Sequence, residues 1–447
     1  MLVSTPWLTA VHTRGKNHKR KIKKQTLKIG CWNVRTLRDG PDRPERRTAI
    51  ITSELGRYDL DVVALSETRF PGEGELREIN GYTIFWIGKK VEETREHGVG
   101  FAIRTNLTEK LVELPNGINE RLMTLRLRLD GDRFVTMISA YAPTLNSSPD
   151  TISAFYQTLK EIILSIPKED KVLLLGDFNA RVGKDCDTWS ALGPFGIGKQ
   201  NDNGLCLLQL CTELDMVITN TFFHHKPIHK CSWTHPRSKQ GHLIDYIIVR
   251  RRDIQDVRST RVVRGADCDT DHNLVRSKLA VVIRNKIRKN MRTTAPKRID
   301  CSALKNPNTN SELKDLLEQI EFDGSWETFR DEVFKVSSEK LGFIKRKNRD
   351  WFSENVSVIS NLLNSKHELR DRLLNCDISS HVYRSILDSF TSIKSMVQKE
   401  LTLLKVNWWH YRSVEVQKEA NRKYSKTLYG LLKELYGPTS SNVAPFK

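Results

Sequence analysis

A strand-like apolar run that ends in polar side chains is the most constraining feature of this chain. In KVLLLGDFNARVG, residues 171–183, four consecutive apolar residues are followed closely by Asp177 and Asn179. The run is typical of a strand in a hydrophobic core. A charged side chain at the end of such a strand loses hydration unless neighbouring groups compensate for it. We interpret the apolar run as a rigid support and the two polar residues as functional groups that it positions.

Several other strand-like segments end in the same way. Their polar residues are Asn33 in GCWNVRTL, Glu67 in VVALSETR, Tyr141 in ISAYAPT, Asp245 in LIDYIIV, and Asp271 with His272 in DTDHNLV. Carboxylates that meet at one edge of packed sheets raise one another's pKa unless a cation lies among them. Oxygen ligands without thiolates favour a hard ion such as Mg²⁺ or Mn²⁺. We therefore expect one site that combines these residues with a divalent cation.

The spacing of apolar residues between Lys28 and Val282 predicts many short strands and a few helices. Two strands, residues 121–129 and 133–140, flank the turn sequence DGD and predict a hairpin. Apolar residues at steps of three and four from Ile152 to Ile166 predict an amphipathic helix. Many strands with few helices favour two packed β-sheets covered by helices, an α/β sandwich.

The sequence changes character after about Arg276, where a basic connector leads into segments with helical spacing. Apolar residues within 386–411 and 359–373 predict two helices that pair as a hairpin. The predicted units are a basic tail (1–27), the α/β domain (28–283), a basic linker (284–310), a helical region (311–437) and a flexible tail (438–447). Because the helical region offers no catalytic group, we expect removal of residues 311–447 to leave the activity largely intact.

The charge balance favours a polyanionic partner. The chain has 73 Lys and Arg residues against 54 Asp and Glu residues, a formal net charge of +19. The first 30 residues contain eight basic residues and no acidic one. Such clusters are typical of solvated tails, nucleic-acid contacts or nuclear addresses. No apolar run has the length of a membrane span, so we expect a soluble, intracellular protein that does not contact a membrane.

A zinc site is disfavoured by the pattern of histidines and cysteines. His224, His225, His229, Cys231, His235 and His242 lie close together in sequence. Their spacing fits none of the usual zinc-finger patterns. The eight cysteines include no C-x-x-C pair, which indicates reduced packing residues in an intracellular protein.

The ordered motifs N-V, S-E-T, Y-A-P, G-D-F-N, S-W-T, D-Y and D-H resemble the endonuclease/exonuclease/phosphatase superfamily. Together with RDWFSENVSVISNLL and NWWHYRSVEVQKEA further along the chain, they look like a non-LTR retrotransposon endonuclease of the Bov-B/RTE type. The resemblance implies a DNase I-like, four-layer α/β sandwich followed by a mostly helical C-terminal region. It also implies a metal-dependent endonuclease with DNA as its partner and a location in the nucleus, with the cytoplasm as a second compartment.

The resemblance also assigns roles to residues. The implied metal ligands are Glu67, supported by Asn33 and Asp271, and the implied catalytic residues are Asp177, Asn179, His272, Asp245 and Tyr141. Asp177 would activate the attacking water, and Asn179 and Tyr141 would hold the phosphate. His272, oriented by Asp245, would stabilise the negative charge that builds on the phosphate oxygens, which is chemistry that phosphodiester hydrolysis requires.

Two positions near the first motifs bear on the type of enzyme. Many abasic-site endonucleases of the superfamily have an Asp two residues after the first Asn, where this chain has Arg35. Retrotransposon members generally lack that Asp, so the departure favours the retrotransposon type and leaves the number of metal ions open. Arg69 lies where relatives often carry a basic residue close to the metal.

Two other functions fit the same residues. The fold also supports phosphatases and phosphodiesterases. A catalytically idle nucleic-acid-binding protein derived from a retroelement is the third interpretation. Taken singly, Asn33 fits a turn, Tyr141 a core phenol and Asp271 the cap of a bend. Net charge and the ordered set of motifs favour the endonuclease.

Overall fold

The computed structural model describes the α/β domain and most of the helical region. The described residues are 26–281, except 40–45, 91, 95, 109–110, 112, 130–132 and 236, and then 304 and 307–435, except 321–325, 342–349, 378–379 and 423–424. Most of the predicted basic tail, most of the predicted linker and the last predicted tail lie outside these residues.

Two β-sheets and a short ribbon are formed by the described residues. The strands are β1 (Leu27–Asn33), β2 (Val62–Ser66), β3 (Glu73–Arg77), β4 (Tyr82–Ile87), β5 (Val99–Arg104), β6 (Asn116–Asn119), β7 (Leu122–Arg128), β8 (Phe134–Tyr141), β9 (Lys171–Asp177), β10 (Met216–Ile218), β11 (Trp233–Thr234), β12 (Gly241–His242), β13 (Asp245–Arg250), β14 (Val257–Val263) and β15 (Leu274–Leu279). The seven-stranded sheet has the order β14-β15-β1-β2-β5-β4-β3, the six-stranded sheet has the order β10-β13-β9-β8-β7-β6, and β11 pairs with β12.

The helices of the described residues cover the outer faces of the sheets and form the C-terminal region. They are α1 (Arg47–Arg57), α2 (Thr105–Thr108), α3 (Pro149–Ser165), α4 (Asp202–Glu213), α5 (Pro307–Glu318), α6 (Trp326–Leu341), α7 (Trp351–Glu354), α8 (Val356–Asn375), α9 (His381–Asn421) and α10 (Ser425–Leu435). None of them combines the length and the hydrophobicity that crossing a bilayer requires.

The apolar run in β9 is continuous because both of its faces are buried. Leu173 and Leu175 point into the core between the two sheets, which also contains Cys31 of β1. Val172 and Leu174 point the other way, into the core beneath α3 and α4. Successive side chains of a strand alternate between faces, so a strand in the middle of a four-layer structure needs apolar residues at every position.

The remaining layers follow the same logic. On β2, Val62 and Ala64 join the core between the sheets, whereas Val63 and Leu65 pack under α1. The fold is therefore two packed sheets with helices on both outer faces, and the predicted DNase I-like sandwich is confirmed. The predicted hairpin is β7 and β8, and the predicted amphipathic helix is α3.

The strand directions place six polar strand ends at one end of the sandwich. β1 is parallel to β2, and β8 is parallel to β9, so all four strands finish at this end. β13 is antiparallel to β9, and β15 is antiparallel to β1, so both begin there. The residues opposite one another include Tyr141 and Asp177 on β8 and β9, and Asp177 and Asp245 on β9 and β13.

The predicted helical hairpin is formed by α8 and α9, and it packs against the α/β domain. Trp351, Val397, Leu401 and Trp408 share a buried cluster with Ala49 of α1. Polar contacts surround this apolar contact: His367 Nε2 lies 2.8 Å from Glu54 Oε1, Arg57 Nη2 lies 3.2 Å from Asp371 Oδ2, and Arg46 pairs with Asp350. The helical region is thus docked on α1.

Two leucines on α9 test this docking contact. Leu401 is 1% exposed and Leu403 is 51% exposed. We expect Leu401→Ala to lower the free energy of unfolding by about 2–5 kcal/mol because it leaves a cavity in the contact. Leu403→Ala should change the free energy by no more than about 0.5 kcal/mol. Urea unfolding followed by tryptophan fluorescence compares the two, and equal effects would contradict the packing described.

Candidate active site

Asn33 connects two carboxylates at the shared end of the sheets. Its side-chain Nδ2 donates to Glu67 Oε1 and to Asp177 Oδ2, each at 2.9 Å. Its Oδ1 accepts the backbone N–H of Arg35 at 2.9 Å. Asn33 is 1% exposed, and its bond to Asp177 is fully buried. The amide is therefore fixed in orientation, and it links the seven-stranded sheet to the six-stranded sheet.

Glu67 follows β2 in a left-handed backbone conformation, with φ of 55°. Its Oε1 also accepts the phenol O–H of Tyr141 at 2.9 Å, and its Oε2 accepts from Arg69 Nη2 at 2.9 Å. Burial and the Glu67 carboxylate raise the pKa of Tyr141 far above its usual range, so the phenol stays a donor. The side chain of Glu67 is 16% exposed, which leaves part of the carboxylate open to solvent.

His272 lies between two buried carboxylates. Its Nδ1 is 3.0 Å from Asp245 Oδ2, and its Nε2 is 3.8 Å from Asp177 Oδ2. Asp177 and Asp245 are each 1% exposed, and His272 is 8% exposed. Among the described residues, these three form the group of His, Cys, Asp or Glu side chains whose ligand atoms come within 4.8 Å of one another.

Burial and neighbouring charges affect the pKa values of Asp177 and His272 in different ways. Burial and the neighbouring Asp245 raise the pKa of Asp177 to about 7, although His272 and Asn33 oppose the rise. Burial lowers the pKa of His272, but Asp245 and Asp177 outweigh it and raise the pKa to about 9. At neutral pH the imidazole is therefore a fixed cation, and Asp177 is poised to gain or lose a proton.

The other two predicted residues occupy the rim. Asn179 has a φ of 47°, its backbone N–H donates to Asp177 Oδ1 at 2.9 Å, and its Nδ2 donates to Ala142 O at 2.9 Å. Asp271 is exposed, and its Oδ2 accepts the indole N–H of Trp233 at 2.9 Å. The hydrogen bonds of the site join Asn33, Glu67, Tyr141, Asp177 and Asn179, and they join His272 with Asp245; Asp271 instead faces the β11–β12 ribbon.

Several residues at the site have no signal in their own stretch of sequence. Arg121 Nη2 lies 2.9 Å from His97 Nε2, and its guanidinium lies 5.4 Å from the Tyr141 ring centroid. Thr270 Oγ1 donates to Asn33 O at 2.9 Å and accepts from the backbone N–H of His272 at 3.2 Å. The predicted hairpin register places Arg121 opposite Tyr141, which is the signal that could have identified it.

The histidines and cysteine considered for zinc do not come together. Within the part of the chain that the structure describes, no group of three of them brings its ligand atoms within bonding range of one metal ion. His242 and His235 instead pack against Trp233, at ring-centroid distances of 5.8 Å and 5.5 Å.

The donor set of the site fits a hard divalent cation. Glu67, Asp177 and Asp245 contribute carboxylate oxygens, and no thiolate is among them. Asp177 is buried close to a second carboxylate, an arrangement whose repulsion a bound cation would relieve. The partly open carboxylate of Glu67 is the best placed of the three to bind an ion that arrives from solvent.

Comparison with known proteins identifies the family of this chain. A sequence model of the Endonuclease/Exonuclease/phosphatase family matches residues 30–272, which is more than half of the chain and contains every predicted site residue. The chain belongs to this family. Enzymes of the family fold as the DNase I-like sandwich described above, and they are typically hydrolytic nucleases or phosphatases that use divalent metals.

Two named proteins are similar to this chain over about half of their own length. Craniofacial development protein 2 of Bos taurus is 32% identical over 314 residues, 70% of this chain and 50% of that protein. The protein of the same name from Tragulus javanicus is 31% identical over 276 residues, 62% of this chain and 46% of that protein. The chain thus spans about half the length of these curated relatives. Among solved structures, the APE2 catalytic domain of Xenopus laevis is similar at 17% identity, with a TM-score of 0.43, over 58% of this chain and 95% of that one.

The protonation of His272 provides a direct test of the geometry. We expect the His272 ring to titrate at about pH 9 in metal-free protein, and Asp245→Asn to lower that pKa because burial then dominates. Asp271→Asn should change it little, since Asp271 is exposed. The pairing raises the pKa above the roughly 6.5 of an unfolded histidine. Its stabilising effect is therefore complete below about pH 6.5 and is lost as the pH rises through 9.

The measurement is the ¹⁵N and ¹H NMR shift of the ring as a function of pH. A His272 pKa near 6.5 in the unaltered protein, or an equal response to Asp245→Asn and Asp271→Asn, would show that the imidazole is not held by Asp245.

Proposed function

We propose that the protein is a metal-dependent endonuclease that hydrolyses phosphodiester bonds in DNA and leaves nicks. The observation that carries the proposal is the single hydrogen-bonded group made by Asn33, Glu67, Tyr141 and Asp177, with His272 held beside it by Asp245. These groups can bind a cation, accept a proton from water and offer positive charge to a phosphate, which are the functions that hydrolysis of a phosphodiester needs.

The roles follow from the surroundings of each group. Asp177, with its pKa raised to about 7, accepts a proton from the attacking water. Protonated His272 donates to a phosphate oxygen, and Asp245 fixes its rotation and keeps it charged. Tyr141 and Asn179 hold the phosphate from the side of β8 and β9.

A divalent cation completes the proposed site. Glu67 is assigned as its principal ligand, with Asn33 and Asp271 as further ligands implied by the family resemblance. When bound, Mg²⁺ or Mn²⁺ supplies Lewis-acid polarisation of the phosphate and stabilises the departing 3′ oxygen. The protonated state of His272 disfavours a metal in direct contact with the imidazole, because the ion would have to displace the proton.

The proposed substrate follows from charge. The net charge of +19 favours a polyanion, and salt-sensitive contacts to phosphates would supply binding that is largely independent of base sequence. Arg69 and Arg121 add positive charge beside Glu67 and Tyr141, and the exposed Arg35 lies at the end of β1. Arg35 also supports the Bov-B/RTE type of retrotransposon endonuclease within the family. Nuclear location is proposed from the positive net charge and the proposed DNA substrate.

Conversion of supercoiled plasmid to nicked circle tests the activity. In the presence of Mg²⁺ we expect nicking by the wild type, and a loss of about 10²-fold or more in Asp177→Asn, because general base catalysis is removed. Glu67→Ala and His272→Ala should lose activity as well. The matched control is Asp170→Asn, which changes a buried carboxylate at the opposite end of β9, where it pairs with Arg126.

Three outcomes separate the candidate functions. Loss of nicking in the site variants but not in Asp170→Asn supports the endonuclease. Equal nicking in all preparations would identify a contaminant and overturn the site assignment. A wild type that does not nick, but binds DNA or hydrolyses phosphomonoesters, would replace the proposal with an idle binding protein or a phosphatase of the same fold.

Metal binding can be measured without activity. We expect Glu67→Gln to weaken Mn²⁺ binding by about 10- to 100-fold. Losing a residue that hydrogen-bonds to a metal ligand weakens metal binding by about this much, and losing the charged ligand itself should weaken it at least as much. Glu75→Gln, on the exposed strand β3, should bind Mn²⁺ like the wild type. Isothermal titration calorimetry compares the wild type, Glu67→Gln, Glu75→Gln and Asp245→Asn. If Asp245→Asn abolishes binding and Glu67→Gln does not, the ion binds between Asp177, Asp245 and His272 instead.

A further inference from the structure

The loop between β14 and β15 carries both the site and a buried ionic contact with the helical region. Residues 264–273 contain Asp271 and His272, and they also contain Asp267 and Asp269. The side chains of Asp267 and Asp269 are each 5% exposed. Two carboxylates this close in sequence and this deeply buried repel one another unless cations lie beside them. The cations come from α8 and α9.

Lys366 is the central cation of this contact. Its Nζ lies 3.0 Å from Asp267 Oδ2 and 3.8 Å from Asp269 Oδ2, and its side chain is 7% exposed. Arg370 Nη1 lies 2.9 Å from Asp267 Oδ1, and Lys394 Nζ lies 2.5 Å from Asp269 Oδ1. One buried lysine thus lies beside both carboxylates, and each carboxylate also pairs with a second cation.

The helical region also binds the backbone of the loop. Arg370 Nη2 donates to Arg264 O at 3.2 Å and to Ala266 O at 3.4 Å. From the other side, Arg47 of α1 donates to Cys268 O at 2.8 Å. The first half of the loop is therefore held on two sides before the chain reaches the site.

Short-range bonds carry this constraint to the imidazole. The N–H of Asp269 donates to Asp267 Oδ1 at 3.2 Å, and Asp269 has a left-handed φ of 58°. Thr270 then bonds to both Asn33 O and the N–H of His272. Only two residues separate Asp269 from His272, so we expect a change in the position of Asp269 to move the ring.

We propose that Lys366 is a positioning residue, through which the helical region holds the β14–β15 loop in the conformation that places His272 between Asp177 and Asp245. The inference rests on the proposed function for its catalytic consequence, but the positioning itself is a property of the loop. The proposal differs from the expectation from sequence that residues 311–447 can be removed with the activity largely intact. In the proposal, the helical region supports the site without contributing a side chain to it.

The chain offers a matched control for Lys366. Arg412 of α9 is an equally buried cation, with a side chain 8% exposed. Its partners, Glu354 and Glu415, both belong to the helical region, and each lies 2.5 Å from its guanidinium. Lys366→Met and Arg412→Met therefore each remove one buried positive charge from an ion-paired group. Only Lys366→Met removes a charge that contacts the β14–β15 loop.

The experiment uses the full chain and two independent readouts. Hydrogen exchange measured by mass spectrometry reports the peptide covering residues 264–273, and plasmid nicking reports turnover and KM separately. For Lys366→Met we expect about tenfold faster exchange in this peptide, which corresponds to a tenfold shift in the equilibrium between its closed and open states. We also expect turnover to be about tenfold lower, with the KM for plasmid unchanged. Lys366→Arg should restore both, and Arg412→Met should leave both at wild-type values.

The outcomes that overturn the inference are distinct from those that overturn the proposed function. Unchanged loop exchange in Lys366→Met, or equal effects of Lys366→Met and Arg412→Met, would reject the positioning role. If the wild type does not nick, the proposed function fails, and loop exchange alone then decides the positioning role. Should Lys366→Met not fold, Lys394→Gln replaces it, because Lys394 is 40% exposed and is expected to give smaller changes in the same direction.

Discussion

The burial of Asp177 opposite Asp245 is the constraint on which the site depends. The two residues are direct partners across β9 and β13, and each is almost fully buried. Like charges directly opposite one another on neighbouring strands are destabilising. The protein offsets this with the His272 imidazole, which lies against both carboxylates, and with the Asn33 amide, which donates to Asp177. A site of this kind retains carboxylate repulsion that a bound cation would relieve.

The rigidity of the site comes from the two cores below it. β9 has apolar side chains on both faces, so neither face can yield without opening a packed layer. β1 is held in the same way, with Cys31 in the core between the sheets and Trp32 under α1. The indole of Trp32 also donates to His272 O at 3.1 Å. The strand ends therefore stay in place while their polar side chains remain available for chemistry.

How much of this was predictable depends on whether a contact is encoded locally. The end of β9 was predictable because four consecutive apolar residues shortly before an Asp indicate a buried strand from the local sequence alone. The pairing of Lys366 with Asp267 was not, because the two residues are far apart in sequence and each alone is an ordinary surface charge. Arg121 is an intermediate case, because its position beside Tyr141 follows from the register of the β7–β8 hairpin and not from its own stretch of sequence. The fold class and most of the site follow from local patterns, whereas the docking of the helical region requires coordinates.

The distribution of backbone strain supports the location of the site independently of its chemistry. Among the described residues, the left-handed positions other than glycine are Arg35, Asp59, Glu67, Arg69, Asn179, Asp215, Lys239 and Asp269. Asp59 and Asp215 follow the ends of α1 and α4, where this conformation is ordinary, and Lys239 lies in the turn of the β11–β12 ribbon. The other five lie at the strand ends of the site or in the loop that carries His272. A left-handed conformation costs about 1–2 kcal/mol for a residue with a side chain. Glu67 and Arg69 gain no helix cap or tight hairpin in return, so the strain is best explained by the Glu67 carboxylate and the Arg69 guanidinium that it brings together at the site.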